Sequence, residues 1–209
     1  HPGPRSAQSG NIALKSNRTS GVAVNVTNSG QLLSLLDSAG PGPGGKVTIL
    51  ATGRGSSVKV NGRVQAERGT VDIRHRGRNG SIDLTNAELR AETVKVAALG
   101  SNGALNIGGG NLAADATLQL YAPGSNGTIN FIANVTLASP TSIIAAQTVN
   151  VFNGVVVNIA SANPADVFTA HANYSGFGGN GSRSGTFGGA GANAPRPVTT
   201  APPLDSSGR

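Results

Sequence analysis

The chain has 209 residues and a formal net charge of +7, with 31 Gly, five Phe, two Tyr and no Cys, Met or Trp. The lack of Cys excludes disulfides, thiolate chemistry and cysteine metal sites, and no run of 18 apolar residues is present to span a bilayer as a helix. A core so poor in large side chains has to be built from Val, Ile, Leu and Ala, which suits thin β layers better than a broad interior.

The chain begins at His1, which reads as the start of a processed piece of a secreted precursor. "GNIAL" (10–14) and "GVAVNV" (21–26) alternate like strands, and the step from Ile12 to Val22 nearly keeps the strand spacing found further on. Residues 1–27 are therefore expected to form an arm carrying an irregular extra rung. "NSGQLLSLLDSAG" (28–40) offers Asn28 or Ser29 as an N-cap, a Leu face at 32, 35 and 36, and Gly40 as a stop. That spacing predicts a short capping helix, with "PGPGG" (41–45) as linker, in the segment 28–44.

Residues 45–160 repeat. "KVTILA", "TVDIRH", "TVKVAA", "TLQLYA" and "SIIAA" lead with Val47, Val71, Val94, Leu118 and Ile143, in steps of 24, 23, 24 and 25. A second strand follows in each copy ("SVKV", "SIDL", "ALNI", "TINF", "TVNV"), and then a third, led by Val64, Leu89, Leu112 and Leu137 and by Val155 or Val157 in the fifth copy. Three short strands per turn of about 24 residues predict an all-β parallel β-helix, or β-solenoid, of five to six turns, each strand burying its apolar face only by stacking on the turn before. Small residues after the third strand (Ala66, Ala91, Ala114, Ser139) fit a pinched corner. The Asn-Gly pairs of "GRNG" (77–80), "GSNG" (100–103) and "GSNG" (124–127) supply the left-handed positions a tight corner needs, so Asn79, Asn102 and Asn126 should stack as a turn ladder. Outward charges agree with this register, Lys59 lying one rung from Asp83 and Asp72 one rung from Lys95.

Residues 161–209 read as an extended Gly-aromatic and Pro-rich tail. Four of the seven aromatics fall there, Phe168, Tyr174, Phe177 and Phe187, spaced like anchors for a neighbouring surface. Residues 143–160 carry no charge, and a bare strand edge of that kind invites pairing unless the tail covers it. The front strand, with Val22, Val24 and Val26, is equally uncharged. Head-to-tail pairing of that strand with an edge bearing Val149, Val151, Val155 and Val157 would repeat without closing and give a filament.

Ten of the sixteen Lys and Arg lie between Lys46 and Lys95 and none between 96 and 182. Arg54, Arg63, Arg74, Arg76 and Arg78 are the candidate polyanion-binding residues, for acidic polysaccharide in preference to nucleic acid, because no aromatic residues are interleaved with them. A solvated basic face accounts for the same residues. No catalytic residue, cofactor or metal site is assigned: nine carboxylates on short turns form no lyase or hydrolase cleft. Glu67, Glu92 and Asp115 align about a rung apart, but Arg68 and Arg90 beside them neutralise a cation ladder.

The stretches 93–115, 118–137 and 173–192, with their "GSNG" rungs and Gly-aromatic tail, resemble the C-terminal region of large secreted bacterial proteins that carry a FecR-type domain and filamentous-haemagglutinin-like repeats. The resemblance covers roughly residues 30–205 and implies a parallel β-helix outside the cell. It brings no activity and no catalytic residues. Residues and resemblance together predict a non-enzymatic structural subunit of an extracellular filament or matrix fibre that assembles with copies of itself. The competing expectation is a surface adhesin or glycan-binding β-helix module.

Overall fold

The computed structural model describes residues 10–35, 44–160 and 165–173, together with the backbone of 185–188. They form one parallel β-solenoid of about five turns. The N-terminal layer consists of β1 (Ile12–Ser16), β2 (Gly21–Val26) and β3 (Gln31–Ser34). Next come β4 (Lys46–Ala51), β5 (Ser56–Val60) and three long strands, β6 (Arg63–His75), β7 (Ser81–Ala98) and β8 (Ala104–Ala122). β6 is the third strand of one turn running through the pinched corner into the first strand of the next, and β7 and β8 begin one strand earlier, with the second strand of their turn. The corner leaves a register shift, between Ala66 and Thr70 in β6 and between Ala91 and Thr93 in β7. The solenoid closes with β9 (Thr128–Ala133), β10 (Val135–Ala138), β11 (Thr141–Val151), β12 (Val155–Ile159), β13 (Asp166–Asn173) and β14 (Gly185–Gly188).

Alternation drives the stacking. Val58, Ile82, Leu105, Ile129 and Val149 fall on one inward column, and Val60, Leu84, Ile107, Phe131 and Val151 on its neighbour, all at 0% exposure. At about 1.5–3 kcal/mol for each large apolar side chain buried, these columns outweigh every surface interaction described below. A one-residue slip would turn Lys59 and Asp83 inward, so the register is fixed by the core.

Five sequence expectations are corrected. Residues 28–35 contain no helix: Gln31–Ser34 is strand β3, paired with Arg63–Ala66 of β6. Its leucines satisfy helical spacing, but the open third-strand edge of the next turn offers backbone partners, places Leu32 on the Val64 column and lets the Ser34 hydroxyl donate to the Gly10 carbonyl at 2.6 Å. Residues 36–43 of the expected helix and linker lie outside the described residues. In the fifth copy Ser142, not Ile143, stacks on Leu118, because this register puts Ile144 on Leu120 and Ala146 on Ala122. The third-strand column continues from Leu137 to Ile159, with Val157 two residues earlier on Val135 and Val155 earlier still.

The fourth correction concerns the start of the tail. Residues 166–173 are β13, a further layer on β11, so the coil does not end at 160. The fifth follows from it: the uncharged layer Thr148–Ile159 is not a bare edge, since β13 covers Thr148–Asn150 and β14 pairs with Val155–Asn158. The side chains of Val149, Val151, Val155 and Val157 point into the core and are 0–6% exposed. The rear strand edge therefore belongs to β13 and β14.

Candidate functional site

The corner between first and second strands is built on glycine. A methyl group at Gly77 would overlap the Gly53 carbonyl, one at Gly100 the Gly77 carbonyl, and one at Gly124 the Gly100 carbonyl, so backbones stack there without room for a Cβ. Beside this column Asn79, Asn102 and Asn126 hold φ values of 55°, 52° and 57°. Their side chains are bonded rung to rung: Asn102 Nδ2 donates to Asn79 Oδ1 at 2.8 Å and Asn126 Nδ2 to Asn102 Oδ1 at 3.0 Å.

The same corner carries the exposed arginines. Arg54 and Arg78 belong to adjacent rungs, with Gly55 N donating to the Arg78 carbonyl at 2.9 Å, and Arg76 lies two residues before Arg78. Arg18, which the sequence reading did not single out, extends the set to a third rung, because a methyl at Gly53 would strike its carbonyl. The rungs are about 4.8 Å apart. No carboxylate occurs in residues 10–20, 52–55 or 76–80, and none of these four arginines has an ion-pair partner among the described residues. The signal that could have placed Arg18 here is its position eight residues before "GVAVNV" ends, where the rear of one more corner was due.

Two of the expected basic residues leave the set. Arg74 is 6% exposed, and its Nε donates to Asp72 Oδ1 at 2.6 Å, while Lys46 Nζ reaches Asp72 Oδ2 at 2.9 Å. Arg63 lies on the third strand and pairs with Glu88 at 3.6 Å. Arg74 is buried on the outside of the sheet because its row continues through Ala97, Tyr121, Ala145 and Phe168, an outer apolar cluster against which Leu99 and Ile143 pack. Burial pushes the Tyr121 phenol up to about 12. Phe168, expected to anchor a neighbour, is instead 3% exposed in this cluster. Tyr174 and Phe177 lie outside the described residues, and only the backbone of Phe187 is described, in β14.

Under the arginine corner Ser56 and His75 meet at 2.9 Å, a contact resembling a catalytic dyad. The hydrogen bonds assign other roles. Gly77 N donates to His75 Nδ1 at 3.1 Å, which leaves Nε2 as the protonated nitrogen, and the Ser56 hydroxyl donates to the Gly53 carbonyl at 3.0 Å. Ser56 thus accepts from the imidazole rather than being activated by it, and both side chains are no more than 2% exposed. Desolvation lowers the His75 pKa, opposed by its bonds to Gly77 and Ser56. A methyl at Gly80 would overlap the imidazole, so the ring fills the corner as a structural block.

A second ladder, absent from the sequence reading, runs along the outer face of the second strand. Asn106 donates to Asp83 (2.7 Å), Asn130 to Asn106 (2.8 Å), Asn150 to Asn130 (2.8 Å) and Asn173 to Asn150 (2.6 Å). At the pinched corner Glu67, Arg68, Arg90 and Asp115 line a groove together with Gln65. Glu92 is not part of it, and no group of three His, Cys, Asp or Glu able to hold a metal occurs among the described residues.

No helix among the described residues is long and apolar enough to cross a membrane. No family model matches the chain, and neither a curated protein nor a solved structure matches it. The class of protein is therefore defined by fold alone, a short-runged parallel β-solenoid.

Proposed function

We propose that the chain is a structural subunit of an extracellular filament or matrix fibre, assembled from copies of itself through its terminal layers. The likeness to secreted haemagglutinin-like repeats belongs to this proposal and rests on the quoted sequence stretches. The observation that carries it is the incomplete front layer. Ile12, Leu14, Val24 and Leu32 are only half-buried, whereas their partners Val47, Ile49, Val58 and Val64, one layer in, are at 0% exposure. Val22 stands opposite Ser57 at a bulge and is not part of this apolar layer, and β1, β2 and β3 have a strand partner on one side only among the described residues. An unfinished apolar layer with free backbone groups gains by receiving another strand layer. Catalysis, cofactor and metal play no part in this role. Electron microscopy of the purified full chain tests it: fibres of constant width support the reading, and monodisperse monomers at every concentration remove it.

A second reading, glycan binding by a surface adhesin, is favoured by one specific observation, the acid-free corner of Arg18, Arg54, Arg76 and Arg78. Guanidinium groups repeated at rung spacing suit a linear chain with a carboxylate or sulfate on each sugar, and no aromatic residue stands in the corner to stack a nucleic-acid base. Titration with labelled polygalacturonate checks this. Binding that weakens with salt and is lost in an Arg18→Gln, Arg54→Gln, Arg78→Gln triple variant supports it, and unchanged binding in that variant rejects the site.

A further inference from the structure

We infer that copies join head to tail in one defined register, with Asn25 of one copy seated on Asn173 of another, so that the outer amide ladder gains one more rung across the junction. This rests on the proposed self-assembly and adds which edges meet and in what alignment. Asn25 and Asn173 are the two ends of one row of the sheet: Asn25 pairs with Lys59, Lys59 with Asp83, and at the far end Asn150 with Asn173. The ladder also has a direction. Every amide donates toward the front layer, and Asn173 gives its Nδ2 to Asn150 Oδ1 at 2.6 Å while its own Oδ1 accepts from no donor among the described residues. Asn25 is exposed and makes no side-chain hydrogen bond among those residues. Placed on Asn173, it donates in the sense of every bond already in the ladder, and its Oδ1 faces Lys59, which can only donate.

The apolar rows agree with this alignment. Leu14 heads the inward row that ends at Val167, and Val24 heads the row that ends at Ala172. Val167 and Ala172 are already buried, at 1% and 7%, so the apolar surface newly covered belongs to the front layer. The charges are complementary as well. Residues 10–35 carry Lys15 and Arg18 with no carboxylate, and the described rear layer carries Asp166 with no Lys or Arg. Front-to-front contact would instead set Lys15 and Arg18 against their own copies and pair the strands antiparallel, unlike every strand pair among the described residues.

The absence of native Cys makes the test direct. Parallel neighbours about 4.8 Å apart fall inside the Cα separation of roughly 4.4–6.8 Å that a disulfide accepts. In full-length Asn25→Cys/Asn173→Cys protein, oxidation should give a reducible series of dimer, trimer and higher species on a denaturing gel. A Gln31→Cys/Asn173→Cys protein, with its cysteines on different strands, should give none. Complete dimerisation of Asn25→Cys alone would overturn the register in favour of front-to-front contact. Fibres by electron microscopy with no cross-linked series would also overturn it while leaving self-assembly standing. Absence of both fibres and cross-links would remove the two together.

Discussion

The front half of the solenoid and its rear half share one core and differ on the outside. From Lys46 to Lys95 the outer rows are charged: Asp72 is held between Arg74 and Lys46, and Arg63 pairs with Glu88. From residue 96 onward the described rows carry no Lys or Arg, and rungs are tied by asparagine amides between Asn106, Asn130, Asn150 and Asn173. The inward columns cross this boundary without change, Ile82 continuing to Leu105 and Ile129. The fold is thus set by the inward rows and the glycine corner, and the outer face is free to differ between its two halves.

The largest effect should come from what the halves share. Gly100→Val at the common corner forces a side chain into the Gly77 carbonyl and should cost about 3 kcal/mol or more, enough to abolish a cooperative thermal transition followed by circular dichroism. Next comes a direct contrast between halves. Asp72→Ala removes the carboxylate bonded to the buried Arg74 guanidinium and should cost about 3 kcal/mol, whereas Asn130→Ala, which breaks two half-buried amide bonds, should cost about 1–2 kcal/mol by urea denaturation. Equal losses would mean that the two outer faces are not distinct in kind. Ser142→Val is expected to stabilise by about 1 kcal/mol, because it removes a buried hydroxyl with no hydrogen-bond partner and restores the Val or Leu found elsewhere in that column.

The smallest effect is that of pH on the front corner. His75 has a lowered pKa when folded, so near and below pH 6.5 the unfolded chain takes up a proton that the folded chain resists. Stability should be unaffected by His75 above pH 6.5 and fall as the pH drops below it, by at most about 1.4 kcal/mol per pH unit. Chemical denaturation at a series of pH values, with the His75 ring followed by NMR, checks the sign.

How far the sequence speaks depends on which face a residue serves. The inward rows were legible because each strand repeats the same requirement in the same register, turn after turn. Strand β3 was not, since its leucines fit a helix and the strand that overrides this lies 32 positions away in the Leu32–Val64 pair. Residues 166–173 escaped because "DVFTAHAN" offers only Val167 and Ala172 as inward residues of the usual kind. The amide ladder could have been found from Asn106, Asn130, Asn150 and Asn173, which recur at nearly one turn on the outward parity. Arg74 was misplaced because parity alone put it in solvent, whereas the outer apolar row formed with Ala97 and Tyr121 encloses it. For the arginine corner, parity and turn position located Arg54, Arg76 and Arg78, and only the stacking of the irregular first layer added Arg18.

The central claim is that the front layer is unfinished in the single chain and is completed by another copy. Hydrogen exchange of the full chain over a range of protein concentration measures this directly. Amides of Ile12–Ser16 and Gly21–Val26 should become protected as concentration rises, while those of β7 and β8 stay equally protected throughout. Front-layer protection that is independent of concentration would contradict the account.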